Sequence, residues 1–128
     1  MSLKSPLRRV TYLGSAKSGS SHWYAQRVTA VALVLLGLWL VISLASMGGA
    51  SHEHVVAWLS SPVAAAFAVL LVLTAAWHAM LGLQVVIEDY VGDKGARMAV
   101  LLVVKFALVV AAVIGVLAVL RIAFGVAA

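Results

Sequence analysis

Apolar and polar positions in this chain do not alternate as in a half-buried strand or an amphipathic soluble helix. They fall into three long apolar blocks separated by short polar stretches. The blocks run from about Gln26 to Met47, from Pro62 to about Ile87 and from about Met98 to Phe124. Each is long enough for a helix to cross a hydrocarbon core of about 30 Å, which takes roughly 20 residues. The pattern predicts an all-α integral membrane protein with three transmembrane helices in a single domain, behind a basic tail over residues 1–25. Gly48-Gly49 closes the first span, and Pro62 suits the first turn of the second. The second span, at about 39 Å, exceeds the hydrocarbon thickness, so it is expected to tilt or project. Ala50–Ser61 reads as a short polar connection and Glu88–Arg97 as a polar loop. Residues 1–21, rich in Ser, Gly, Lys and Arg, read as extended or poorly ordered until something binds them.

Composition narrows the class. Of 128 residues, 65% are hydrophobic and 10% charged, too few polar groups to cover a soluble domain of this size. There is no cysteine, which excludes disulfides, thiolate catalysis and Cys-ligated metals or clusters within this chain. The net charge of +5 does not point to nucleic acid. Lys4, Arg8, Arg9, Lys17 and Arg27 all precede the first apolar stretch, as a topology signal does. Lys94 and Arg97 add to the same side, whereas Ala50–Ser61 holds no Lys or Arg and the far end only Arg121. The positive-inside rule therefore puts the N-terminus and the Asp89-Tyr90 end in the cytoplasm. No convincing cleavage site follows the first block, so it reads as a retained span. A Met1 start without a transit peptide points to a bacterial inner membrane.

The polar residues inside the apolar blocks carry the chemistry. His78 lies in the second block among Ala, Leu and Val, near the midplane, where no water is available to it; intramembrane ionisable groups of this kind mark functional sites. Four readings are open: a haem ligand, a proton-relay member, a site for another metal, or a polar residue bonded to a neighbouring helix. His78 and Asp89 lie about 20° apart on one helical face and roughly 16 Å along the axis. His22 is outside the apolar core and His52 and His54 are at the opposite surface, so a second axial ligand would have to come from another chain. Gly82, one turn after His78, leaves room for a flat macrocycle or serves ordinary packing. Tyr90 can donate its phenol hydroxyl to a quinone carbonyl with Asp89 orienting it, or the pair can simply end a helix at the interface. Arg27 either anchors the cytoplasmic end of the first span or pairs with an anion such as a haem propionate. Lys105 reads as snorkelling to the cytoplasmic headgroups and Arg121 to the far interface. His52-x-His54, without further ligands, reads as an exposed polar loop. Small residues in spans two and three exceed what three helices need among themselves, which implies a membrane partner.

Gln26-Arg27-Val28-Thr29-Ala30, together with the run from His78-Ala79-Met80-Leu81-Gly82 to Glu88-Asp89-Tyr90-Val91, resembles the small hydrophobic anchor subunit (D type) of succinate dehydrogenase, respiratory complex II. The resemblance implies half of a heterodimeric six-helix anchor that binds haem and quinone. It pairs with a second anchor subunit (C type) and docks the iron–sulfur and flavoprotein subunits at the cytoplasmic face. By the same resemblance His78 is an axial ligand to the iron of haem b, opposite a histidine of the partner anchor. Tyr90 contacts the quinone, with ubiquinone expected, beside Asp89, and Arg27 lies near the haem propionates or the quinone pocket. Such a chain anchors and binds cofactors but does not catalyse alone. Fumarate reductases share this architecture. The competing readings are a homo-oligomeric proton-coupled transporter or assembly factor with His78 and Asp89 as a relay, and a structural anchor of another respiratory complex.

Overall fold

The computed structural model describes the backbone of residues 14–125 and the side chains from residue 19 onward. Most of the basic tail, residues 1–13, lies outside the described residues. Among them the chain forms four helices and no strand: α1 (Gly14–Ser46), α2 (His52–Leu59), α3 (Pro62–Tyr90) and α4 (Lys94–Ala123). Three of these, α1, α3 and α4, are long and apolar enough to cross a membrane.

Each helix follows from local chemistry, and each departs slightly from the expected bounds. α1 begins at Gly14 rather than near Gln26, so the stretch read as extended up to residue 21 is helical from Gly14 onward. Once a long apolar helix is nucleated, adding weak formers such as Ser and Gly costs only fractions of a kcal/mol each, and no proline interrupts the run. It ends in a turn over Met47–Gly49, where Gly49 takes φ 77°, a conformation open to glycine.

The connection read as polar is a two-turn helix, α2. The Ser51 side chain accepts from the His54 N–H at 3.3 Å, and Glu53 sits at the positive end of the helix. Its half-buried residues, Val55, Val56, Trp58 and Leu59, turn toward the bundle. Trp39 of α1 stacks on Trp58 at 5.4 Å between ring centroids and meets Phe67 of α3 edge-on at 5.2 Å. This aromatic cluster closes one end of the molecule. Ser60 Oγ, 3.2 Å from the Ile122 carbonyl, also ties that end to α4.

α3 starts with Ser61 as cap and Pro62 in the first turn, as expected. It continues past Ile87 to Tyr90, which puts Glu88, Asp89 and Tyr90 in its last turn instead of a loop. Its 29 residues span about 43 Å, so it must tilt or project. α4 starts four residues earlier than Met98, because the Asp93 carboxylate accepts from the Ala96 N–H at 2.7 Å and caps it.

α3 is the central helix, with α1 on one side and α4 on the other. The juxtapositions Gln26/Gly82, Thr29/His78 and Trp39/Phe67 show α1 antiparallel to α3; Val72/Gly115, with Ser60/Ile122 at the head of α3, shows the same for α3 and α4. So flat an arrangement buries little: among the described residues only Thr29, Ala64, Ala65 and Ile87 are buried. Leu35, Val41 and Ile42 of α1 and Leu102, Val103 and Phe106 of α4 are mostly exposed. Apolar surface on this scale needs lipid or other helices to cover it. Ala66, Ala75, Ala107 and Ala111, among the small residues expected to permit close helix approach, also remain exposed.

Candidate functional site

Where α1 crosses α3, each helix brings a stripe at helical spacing. His22, Gln26 and Thr29 lie on α1, and His78, Gly82 and Val85 on α3. Between them is a groove of about 520 Å3 lined by His22, Trp23, Gln26, Arg27, His78 and Gly82 among others. The groove therefore brings together three residues singled out from the sequence: His78, Gly82 and Arg27.

His78 is half-buried, and its Nδ1 lies 2.9 Å from the hydroxyl of Thr29, which is only 8% exposed. Thr29 Oγ1 also lies 2.8 Å from the Ala25 carbonyl and 3.1 Å from that of Gln26. A threonine hydroxyl has one proton to donate and lone pairs to accept with. With that proton directed to the α1 carbonyls, Oγ1 accepts from Nδ1–H. The imidazole then carries its proton on Nδ1 and its free lone pair on Nε2. Nε2 makes no hydrogen bond among the described residues.

The groove holds two further polar atoms, His22 Nε2 and Gln26 Oε1, that are buried and have no hydrogen-bond partner among the described residues. Buried polar atoms ordinarily have a partner, a water or another group. Arg27 is exposed at the rim, its guanidinium 5.5 Å above the Trp23 ring in a cation–π contact. At Gly82 an added Cβ would stand 3.6 Å from Gln26 Nε2, an ordinary contact, so packing within this chain does not require glycine there.

Asp89 and Tyr90 lie elsewhere, at the end of α3. Tyr90 is 85% exposed, and Asp89 is exposed as well. The intervening polar contact is a Gln84 Nε2–H bond to Glu88 Oε1 at 2.9 Å. Among the described residues no hydrogen-bonded path joins Asp89 to His78. The Asp89-Tyr90 end is held by Arg97, whose Nε donates to the Val91 carbonyl at 2.9 Å and whose Nη2 approaches that of Gly92 at 3.5 Å.

The remaining candidates separate cleanly. His52 and His54 are exposed and two residues apart on α2, so they point to different faces. Among the described residues no three His, Cys, Asp or Glu side chains come together to hold a metal ion. Lys105 lines a shallow groove with Lys94 and Arg97 on α4. A larger groove of about 530 Å3 between α3 and α4 is lined by Leu73, Trp77, Met80 and Val113 with other apolar residues, and offers no polar chemistry. The residues missed by sequence reasoning are Thr29, Gln26 and the groove role of His22. Their signal was the spacing 22, 26, 29, a polar stripe running into the apolar block.

A sequence profile of the family described as succinate dehydrogenase/fumarate reductase transmembrane subunit matches residues 1–115. The chain is 45% identical over 94 residues to the succinate dehydrogenase hydrophobic membrane anchor subunit of Rickettsia bellii, covering 72% of this chain and 74% of that one. It is 32% identical over 101 residues to the protein of that name from Paracoccus denitrificans, covering 79% and 78%. A succinate dehydrogenase membrane anchor subunit from Reclinomonas americana is 30% identical over 92 residues, covering 70% and 77%.

Proposed function

The chain belongs to the succinate dehydrogenase/fumarate reductase transmembrane subunit family, and on that premise we propose that His78 supplies one axial ligand to a haem b shared with a second anchor subunit. Its own role is that of a non-catalytic, multi-pass membrane anchor. The observation that carries the haem reading is the state of His78: its Nδ1 is engaged by Thr29, Nε2 has no partner among the described residues, and the ring lines the groove. A neutral imidazole bonded through one nitrogen offers the other as a metal ligand.

The rest of the groove fits the same group. Arg27 at the rim suits a carboxylate, because a guanidinium stays charged and bonds in a bidentate way. Gly82 leaves the α3 surface low where a flat ring would lie. The buried, unpartnered His22 Nε2 and Gln26 Oε1 provide polar atoms at the same place. The opposite ligand belongs to the partner anchor, as the family resemblance implies. The exposed small residues of α3 and α4 provide a surface for that partner's helices. When bound, the haem supplies a one-electron store whose potential is set by its ligands and burial.

Tyr90 and Asp89 form the chain's contribution to a quinone site, with ubiquinone the expected substrate of the complex. The Tyr90 hydroxyl donates its one proton to a quinone carbonyl oxygen, and Asp89 beside it orients or tunes the site. Tyr90 is 85% exposed among the described residues, which leaves its ring open to an iron–sulfur subunit that would complete the pocket. A flavoprotein subunit docked on that subunit oxidises succinate, and the electrons reach quinone at the cytoplasmic end of α3. The complex lies in a bacterial inner membrane with the N-terminus in the cytoplasm, following the Lys and Arg distribution.

The test is the haem content of the purified complex with His78→Ala. Loss or severe depletion of haem, with the subunits still assembled, supports the assignment. A full complement of haem with an unchanged spectrum overturns it.

A further inference from the structure

The polar contact between α1 and α3 has a consequence for ligand strength. We propose that Thr29 is a positioning residue for His78, its hydroxyl fixing the imidazole as the Nδ1–H tautomer and raising the electron-donating power of Nε2; this rests on the reading of His78 as an axial ligand.

The argument begins with the proton count. Thr29 Oγ1 has three neighbours: the Ala25 carbonyl at 2.8 Å, the Gln26 carbonyl at 3.1 Å and His78 Nδ1 at 2.9 Å. Carbonyl oxygens only accept; with the single hydroxyl proton donated to them, the remaining short contact is one in which Oγ1 accepts from Nδ1–H. Coordination through Nε2 imposes the same arrangement from the other side. A neutral imidazole that gives its Nε2 lone pair to a metal must carry its proton on Nδ1. Donation to the helix carbonyls and coordination through Nε2 thus favour the same tautomer.

The contact also fixes the ring. Thr29 is 8% exposed and belongs to α1, whereas His78 is 49 positions away on α3, so the bond spans the helix interface. With two carbonyls holding the hydroxyl, the acceptor is pre-oriented and water does not compete for it. An acceptor on Nδ1–H increases the basicity of Nε2 and favours the more highly charged, oxidised metal. The hydroxyl therefore lowers the midpoint potential relative to the same ring without it.

The experiment is a potentiometric titration of the haem in the assembled, detergent-solubilised complex, comparing wild type with Thr29→Val and Thr29→Ser. Valine keeps the branched shape and removes the hydroxyl; serine keeps the hydroxyl. The expected result is a raised midpoint potential in Thr29→Val with haem retained, and return toward the wild-type value in Thr29→Ser. Haem lost from the valine variant but kept by the serine variant also assigns the hydroxyl. Equal potentials in all three, or haem lost from both variants, overturn the role of the hydroxyl while leaving His78 as ligand. A wild-type complex without haem overturns both readings.

Discussion

A Cβ placed on Gly115 would stand 3.0 Å from Val72 Cγ1, with Cγ2 at 3.5 Å behind it. Helical valine strongly prefers one χ1 rotamer, so Val72 gives way to such a contact only at a cost. The close α3–α4 approach therefore favours glycine at 115. At Gly82 the corresponding contact is 3.6 Å from a flexible Gln26 side chain and makes no such demand. Gly115→Ala is predicted to cost about 1–3 kcal/mol as overpacking, seen as a lower midpoint when the complex is thermally dissociated. Gly82→Ala leaves that midpoint nearly unchanged but reduces haem occupancy. Equal destabilisation by both would assign Gly82 to helix packing.

Arg27 and Arg121 are both arginines at span ends, but only Arg27 lines the His78 groove. Arg27→Leu is predicted to weaken haem retention or quinone turnover more than Arg121→Leu does, by loss of a charged hydrogen bond of about 1.5–3 kcal/mol. Haem per complex and succinate–quinone activity measure this. Matching effects would make Arg27 a topology anchor alone.

Tyr90, at 85% exposure, makes no hydrogen bond that holds its hydroxyl among the described residues. Tyr90→Phe should therefore leave assembly and haem content unaffected. Removing one hydrogen bond to quinone costs about 0.5–1.5 kcal/mol, hence a few-fold to roughly tenfold fall in quinone reduction. Succinate oxidation by an artificial dye stays near the wild-type rate. A parallel fall in both assays would show a role in docking rather than in quinone contact.

Arg97 reaches back from α4 to the Val91 and Gly92 carbonyls just beyond Tyr90. Arg97→Ala removes that tie and is predicted to lower quinone reductase activity several-fold with haem retained. Lys105→Leu, deeper on α4 and without such a bond, serves as the comparison and should have little effect. The same two assays decide, together with the visible spectrum. Wild-type activity in Arg97→Ala would show that the Asp89-Tyr90 end keeps its position without it.

The three spans were legible because membrane length and apolarity are properties of a window of residues, independent of what the helix touches. Their ends were not. Glu88, Asp89, Tyr90 and Lys94 tolerate helix and loop equally outside an apolar run, and the Asp93 cap together with the chain's own continuation decided the matter. α2 was hidden for a related reason: eight residues with two histidines look polar until Trp58 finds Trp39. His78, Gly82 and Arg27 stood out individually as polar or small residues in apolar surroundings. Thr29 did not, since one threonine in an apolar helix is unremarkable, and its meaning arises from a contact made 49 residues away. That distance is what sequence pattern alone does not span.

The central claim is that His78 holds a haem in a complex built on this anchor. Its most direct test is a dithionite-reduced minus oxidised visible spectrum of the complex purified in mild detergent through a tag on this chain. A sharp b-type α-band accompanied by three co-purifying subunits is the predicted result. A colourless chain that purifies alone would contradict it.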